Sequence, residues 1–364
     1  MKHIIIIGAG KIGSTIFQFL SCFDHLTLTL ADNNNASLAT AITNEKCRTL
    51  LLNQACNFEE VFQLTQYDAV INAGPYSLSI PIAEAALSQG LSYFDLTEDV
   101  RCTETIKAIA EKSVEGQVFM PQCGLAPGFI GVLAYSFRKD FDKLDTLKLR
   151  VGALPEFPSN QMMYNLTWST EGLVNEYANP CEAIKNNQIS VIEPLEGLET
   201  FSISGVEYEA FNTSGGLANL CHTLNGKVRE LTYKTVRYPG HCELMKFLLH
   251  DLRLGEEGKR RTMLMEILES AVATTVQDLV LVSVVATGYV GPTLQQRSRT
   301  FLLRHTAQQS AIQIATASAA VTAVDLILND TKQRSGFVEQ EVLDIEAFLN
   351  NDFAKPYYEA EISL

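Results

Sequence analysis

The pattern of apolar and polar positions changes period several times along the chain, and each change predicts an element. Residues 3–7, His3-Ile4-Ile5-Ile6-Ile7, are a nearly continuous apolar run that stops at Gly8, the pattern of a strand buried on both faces. Residues 14–20 place Ile16, Phe17 and Leu20 on one face of an amphipathic helix. Leucine and threonine alternate over residues 26–30 and lead into Asp32, a second strand; residues 36–43 read as helical. Residues 68–75 predict a buried strand running into a turn, and residues 80–89 a helix stopped by Gly90. A strand at 92–96, a helix at 103–112 and a strand at 118–121 follow. Strands alternating with helices imply an α/β fold, a Rossmann-type doubly wound parallel sheet, whose ligands bind beyond the C-terminal strand ends.

From about residue 129 the pattern is different. Leu147, Leu149 and Val151 alternate with Lys148 and Arg150, and Phe201, Ile203, Tyr208 and Ala210 suggest two strands joined near Gly205. Further strands are expected at 228–236, 279–286 and 298–304, with helices at 171–177, 243–252 and 260–272. This is the signature of a second, α+β domain with a mixed or antiparallel sheet. Residues 310–328 form one long Ala-rich helix, and the tail to residue 358 reads as ordered. The expected organisation is a nucleotide-binding domain at 1–128, a second domain at 129–305, and a C-terminal helix and tail at 306–364 that return to the first domain.

The opening strand delivers the chain into Gly8-Ala9-Gly10-Lys11-Ile12-Gly13, a G-x-G-x-x-G turn. In a βαβ unit Gly8 allows the tight turn, Gly10 lets the backbone approach a pyrophosphate, and Gly13 lets the helix lie close to the strand. The phosphates rest on the free N–H groups of the helix start. Asp32 follows Gly13 by about 20 residues, where such folds place the carboxylate that accepts from ribose hydroxyls. No Arg or Lys follows in Asn33-Asn34-Asn35, so NAD is expected as cofactor rather than NADP. The turn Asn72-Ala73-Gly74-Pro75 and Tyr76 end another strand and are placed near the same ligand.

Composition narrows the partners. The 364 residues carry a formal net charge of −14, which argues against nucleic acid and against anionic membrane surfaces. The eight cysteines form no C-x-x-C pair and no zinc spacing, so no metal is expected and a reduced, cytoplasmic protein is the simplest assignment. The apolar run at 279–286 is too short to span a bilayer, and the first residues read as a strand rather than a signal peptide.

Several side chains invite a chemical role, each with a plainer alternative. Arg237 and His241 lie in Thr235-Val236-Arg237-Tyr238-Pro239-Gly240-His241 at a strand end. Arg237 is suited to clamp a carboxylate through two parallel hydrogen bonds, and His241 to orient substrate or relay a proton; an exposed cation beside a turn histidine is the alternative. Cys123 lies in a Gly- and Pro-containing loop at the last strand end of the first domain, either as a thiol near substrate or as a small buried hydrophobe. Asp95 and Glu98 follow another strand and suit an amine or a proton transfer, or else cap the next helix. Trp168, the single tryptophan, is an aromatic wall or a core residue, and Thr213 begins a Thr-Ser-Gly-Gly loop that either holds a carboxylate or merely turns. His3, His25, His222 and His305 are read as structural.

Taken in order, the G-x-G-x-x-G turn, Asn72–Pro75, Tyr93-Phe94-Asp95-Leu96, Gly124-Leu125-Ala126-Pro127-Gly128, Thr167-Trp168-Ser169-Thr170-Glu171-Gly172-Leu173 and Lys234–His241 resemble the saccharopine dehydrogenase family, and within it the lysine 6-dehydrogenase-like branch. The resemblance implies a Rossmann domain, a substrate domain, a nicotinamide cofactor, a small amino-acid substrate and a homodimer. One departure bears on substrate. The family's saccharopine reductases carry an Arg-Asn pair in the helix after the Trp-Ser motif, and here that stretch reads Glu176-Tyr177-Ala178-Asn179-Pro180. This favours NAD-dependent oxidation of the lysine ε-amine. A saccharopine or carboxynorspermidine reductase using NADP is the second expectation, and a dinucleotide-binding protein without catalysis the third.

Overall fold

A computed structural model describes residues 2–41, 43–330, 334–358 and 362. The chain divides into two compact units, the first holding residues 1–132 and 315–357, the second residues 133–314 and 358–364.

The first unit is a parallel sheet. Its strands are β1 (Lys2–Ile7), β2 (Leu26–Asp32), β3 (Cys47–Leu51), β4 (Ala69–Asn72), β5 (Ser92–Asp95) and β6 (Val118–Met120). They lie in the order β6-β5-β4-β1-β2-β3, and the short strand Gly336–Phe337 adds parallel to β6. The order reverses at β1, so the crevice outside the carboxyl ends of β1 and β4 is the switch point where such sheets bind ligands. Apolar runs predict the central strands because both faces are covered: Ile5, Ile6, Val70 and Phe94 are fully buried. Helix Ser79–Gln89 ends, as its sequence indicates, on Gly90 in the left-handed conformation (φ +74°).

Two differences from the expected pattern have local causes. The helix expected at 36–43 is only Asn35–Leu38, started by the Asn34 side chain, which accepts from the Ala36 N–H. The strand β3 and the helix Phe58–Gln63 are absent from the sequence expectation. β3 is an edge strand with three of its five residues exposed, so it carries no buried run to read.

The tail contributes a buried acid. After Gly336–Phe337, the Gln340 side chain donates to the Pro121 carbonyl. Glu341 then turns inward to lie against Gly131. It is 3% exposed, and neither carboxylate oxygen finds a hydrogen-bond partner among the described residues. Burial, and secondarily Glu339, pushes its pKa up to about 7.

The second unit is built on a mixed sheet. Its strands are β7 (Lys143–Pro155), β8 (Cys181–Lys185), β9 (Gln188–Ile192), β10 (Glu199–Ile203), β11 (Val206–Asn212), β12 (Glu230–Arg237), β13 (Asp278–Val290) and β14 (Thr293–Arg304). The main path runs β10-β11-β12-β7-β13-β14; β12 and β7 are parallel, and the other pairs on it are antiparallel. β14 begins before the predicted segment, where Gln296 and Arg297 are polar and exposed, and β13 runs past it to the exposed Tyr289 and Val290. Helices Thr170–Ala178, His241–Lys246 and Lys259–Ala271 contribute to an apolar core containing Leu173, Tyr177, Phe211, Met245 and Leu264. Among the described residues one helix, Ala311–Leu328, is long and apolar enough to cross a membrane, and 67% of it is buried inside the structure, as befits a core helix.

Candidate functional site

In the first unit the glycine turn is shaped by close approach. Gly8 takes φ +102°, and a Cβ on it would fall 2.8 Å from the Gly74 nitrogen. A Cβ on Gly13 would fall 1.8 Å from the Gly8 carbonyl oxygen and 3.2 Å from the Ala73 Cβ. The turn after β1 is thus seated on Ala73–Gly74 after β4. Asn72 fixes that second turn, accepting from the Gly74 N–H at 3.1 Å and donating to Ser79 at 3.1 Å. Around Gly10 the situation is reversed, for nothing among the described residues lies within 4 Å of a Cβ there. The helix Lys11–Ser21 begins at Gly10 with no side-chain cap hydrogen bond, next to an exposed Lys11 and a half-buried Ile12. A pyrophosphate fits this cradle.

Asp32 is engaged by the chain itself. One carboxylate oxygen accepts from the Ala9 N–H at 2.6 Å and the other from the Asn34 N–H at 2.7 Å. It ties the glycine turn to the end of β2 rather than standing free beside it.

Asp95, at the end of β5, is 1% exposed. It accepts from the Tyr93 hydroxyl at 2.7 Å, the Gln122 N–H at 2.8 Å and the Thr97 N–H at 3.1 Å. Burial raises its carboxyl pKa, and those hydrogen bonds oppose the rise. The residue fastens β5 to the loop after β6. In that loop the Cys123 thiol is buried and donates to the Met120 carbonyl at 2.9 Å. Burial holds the thiol well above its usual pKa, a protonated state that is not nucleophilic. Glu98 is half-buried and precedes Asp99, which caps the helix Val100–Ala110. Tyr76 is exposed, and Pro75 precedes its short 3₁₀ turn.

The second unit gathers a different set. The register of β11 against β12 puts Glu209 opposite Arg237. The Glu209 carboxylate accepts from the Gly240 N–H at 2.8 Å and the Cys242 N–H at 2.6 Å, so it caps the helix His241–Lys246 and fixes the turn that carries His241. Arg237 is 2% exposed. Its Nε donates to the Tyr177 hydroxyl at 2.8 Å, and its Nη1 to the carbonyls of Val236 at 2.8 Å and Ala153 at 3.3 Å. The guanidinium lies over the Tyr164 ring at 5.1 Å and the Tyr177 ring at 5.8 Å. Burial works against its charge, and Tyr177, Tyr164 and Glu176 together outweigh that and keep it protonated.

His241 is fully buried between two partners, the Met162 carbonyl 2.9 Å from Nδ1 and the Tyr177 hydroxyl 3.1 Å from Nε2. A carbonyl only accepts, so Nδ1 carries the proton and Nε2 accepts from Tyr177. Burial, then the Arg237 charge, lowers its pKa to about 3, and the ring is neutral. The hydrogen bonds therefore run in one direction, from Arg237 to Tyr177 to His241 to Met162. Met163 adopts φ +50°, turning the chain between the Met162 carbonyl and Tyr164. The Tyr164 hydroxyl and Thr167 Oγ1, both fully buried, have no hydrogen-bond partner among the described residues. Trp168 is half-buried against the core beside them, and Thr213 is buried, sharing a hydrogen bond with Thr235 at 2.7 Å.

Of the candidates, Arg237 and His241 are joined through Tyr177, and Trp168 lies next in sequence to Thr167. Thr213 sits apart in the hydrogen-bond pattern, paired with the neighbouring strand. The sequence assigns no role of their own to Tyr164, Tyr177, Thr167 and Glu176, the last three standing only inside the stretches compared with the family. Tyr177 occupies an apolar helix position, and nothing in its spacing separates it from a core residue. No group of three or more His, Cys, Asp or Glu among the described residues could hold a metal ion.

A parallel unit with a phosphate cradle, followed by a mixed-sheet unit with a buried guanidinium, is the build of a two-part nucleotide-binding enzyme class. The family profiles agree with this division. The saccharopine dehydrogenase NADP binding domain matches residues 4–120, and the saccharopine dehydrogenase C-terminal domain matches residues 124–360. The chain belongs to the saccharopine dehydrogenase family. Among relatives, the saccharopine dehydrogenase [NADP(+), L-glutamate-forming] of Schizosaccharomyces pombe is 22% identical over 210 residues, 55% of this chain and 46% of that protein. The mitochondrial alpha-aminoadipic semialdehyde synthase of Rattus norvegicus is 23% identical over 197 residues, 52% of this chain and 21% of that protein. The matched regions therefore span less than half the length of these relatives. The structure of apo saccharopine dehydrogenase (L-Glu forming) from Saccharomyces cerevisiae superposes with a TM-score of 0.81 at 14% identity, covering 100% of this chain and 99% of that one, and shares the fold.

The expectation of NAD is corrected by these matches: the profile is that of an NADP binding domain, and the fission-yeast relative is named for NADP(+). The physical reason lies at Asp32. Each Asp32 oxygen accepts a chain N–H, which offsets part of its charge and turns it to the glycine turn, so it is not the unengaged carboxylate that the NAD expectation assumes.

Proposed function

We propose that this protein is an NADP(+)-linked oxidoreductase acting on the carbon–nitrogen bond of an amino acid, with lysine, oxidised at its ε-amine, as the favoured substrate. The observation that carries this is Arg237, a buried guanidinium held by neutral partners and facing no carboxylate of its own in direct contact. A buried cation without an ion pair is costly, and a substrate carboxylate would supply the pair. The dinucleotide, when bound, supplies the hydride acceptor. The uncapped helix start at Gly10 holds its phosphates, and exposed Asn33, Asn34 and Asn35 offer side-chain amides at the end of β2.

In this reading Tyr177 and His241 orient Arg237 and move no proton, since the one free imidazole nitrogen already accepts from Tyr177. Asp95 positions the loop at Gln122–Cys123. Lysine is favoured over saccharopine by Glu176, a buried acid close enough to act on Arg237, Tyr164 and Tyr177. Glu176 offsets part of the Arg237 charge, so the cluster matches one substrate carboxylate and opposes additional ones. Saccharopine is the second reading, favoured by the names of the relatives.

The test is reduction of NADP(+) by the purified protein with L-lysine and, separately, with saccharopine. Turnover with lysine supports the reading; turnover with saccharopine alone transfers it to the second. No reduction with either, together with amino-acid binding indifferent to Arg237→Gln, would reject both.

A further inference from the structure

The donors of the Arg237 cluster do not all find acceptors. A guanidinium has five N–H groups. Nε uses one on Tyr177, and Nη1 uses two on Ala153 and Val236. The two on Nη2 have no acceptor among the described residues. Beneath the same guanidinium lies the Tyr164 ring, whose hydroxyl is fully buried and unpartnered. Thr167 Oγ1 is equally buried and equally unpartnered. Burial raises the Tyr164 pKa, while Arg237, Thr167 and Trp168 pull it the other way, which places these groups around the phenol although neither hydroxyl completes a hydrogen bond. Buried polar atoms in native proteins are almost always satisfied. Two orphan hydroxyls beside an incompletely used guanidinium mark a place where a ligand brings the acceptors.

We propose that Tyr164 and Thr167 complete, with Arg237 Nη2, a four-donor receptor for one carboxylate group. Two N–H and two O–H donors match the roughly four lone-pair positions of a carboxylate. A primary amide is the poorer ligand: its NH₂ finds no acceptor on the guanidinium, it brings no negative charge to the cation, and the hydroxyls' hydrogen bonds to it are of the weaker, neutral kind. The cluster therefore discriminates carboxylate from amide at the same position and with the same shape. The proposal rests on the reading of Arg237 as the substrate's carboxylate partner and extends it to the two residues that set the selectivity.

The experiment is calorimetric binding in the presence of NADP(+), with L-lysine against L-lysinamide and L-glutamate against L-isoglutamine as matched probes. The proteins are the wild type, Tyr164→Phe, Thr167→Val and Arg237→Gln. Tyr164→Phe keeps the ring under the guanidinium, and Thr167→Val keeps the side-chain shape. The wild type should prefer at least one carboxylate over its amide by about 100-fold or more, and each hydroxyl deletion should shrink that ratio about tenfold, one hydrogen bond to a charged group. Thr167→Val carries the test if Tyr164→Phe does not fold. If Arg237→Gln abolishes binding while Tyr164→Phe and Thr167→Val leave the ratio unchanged, water or nothing fills the receptor and the proposal fails, with the Arg237 reading intact. If Arg237→Gln binds as the wild type does, or none of the four probes binds the wild type, the reading and the receptor fall together.

Discussion

Replacing Glu341 by Gln should make the protein's stability less dependent on pH, and the size of the effect follows from the acid's surroundings. The carboxyl is buried against Gly131 without a hydrogen-bond partner among the described residues, and burial pushes its pKa up to about 7 from an ordinary 4.5. Below pH 4.5 the group is protonated in both folded and unfolded chains and makes no difference. Between 4.5 and 7 the unfolded chain releases a proton that the folded chain retains, so stability falls as pH rises; above 7 the loss is complete. The shift corresponds to about 3 kcal/mol in total, of which about 2 kcal/mol is lost between pH 5 and pH 8. Glutamine has nearly the same shape and does not ionise. Whatever its amide costs in that apolar place is the same at every pH, so the difference between the two proteins isolates the proton. Urea unfolding of wild type and Glu341→Gln at intervals from pH 5 to pH 8 measures it. Glu341→Gln should gain about 2 kcal/mol on the wild type across the range. A difference that stays flat within about 0.5 kcal/mol would show that the acid reaches water or a cation and that the burial argument is wrong.

Other expectations concern the two sites separately. Gly10→Ala should leave the melting temperature nearly unchanged, since the added methyl meets nothing within 4 Å, yet weaken NADP(+) binding by fluorescence titration because it occupies the phosphate approach. Gly13→Ala, whose methyl would lie 1.8 Å from the Gly8 oxygen, should instead destabilise the fold by about 3 kcal/mol or more; equal effects of the two would refute the assigned roles of these glycines. Tyr177→Phe leaves the Arg237 Nε–H without its acceptor and His241 Nε2 without its donor, and should cost about 3 kcal/mol in denaturant unfolding. A loss below about 1 kcal/mol would mean that the directed hydrogen-bond chain does not hold the guanidinium.

The sequence is most legible where burial on both faces or a backbone requirement dictates the residue. β1, β4 and β5 announce themselves as apolar runs, and Gly8, Gly13 and Gly90 occupy positions that a side chain would strain or block. β3 is illegible because an edge strand needs no apolar pattern. Arg237 and His241 stand out because polar groups at a strand end invite explanation. Tyr177 and Tyr164 stay hidden, since a buried tyrosine is written in the sequence as any other core aromatic. Asp32 misleads for another reason: its position in the motif is visible, but its two backbone partners belong to the folded turn.

The direction of hydrogen bonds from Arg237 through Tyr177 to His241 has a consequence for how acidity acts on the protein. Its cation does not titrate in water, and its imidazole, with a pKa of about 3, stays uncharged throughout the range in which cells live. This part of the molecule is thus a fixed electrode, with the same charge in an acidic compartment as in an alkaline one. A rise or fall of amino-acid affinity with acidity therefore enters through the small molecule's own amine or through Glu176, and not through Arg237 or His241.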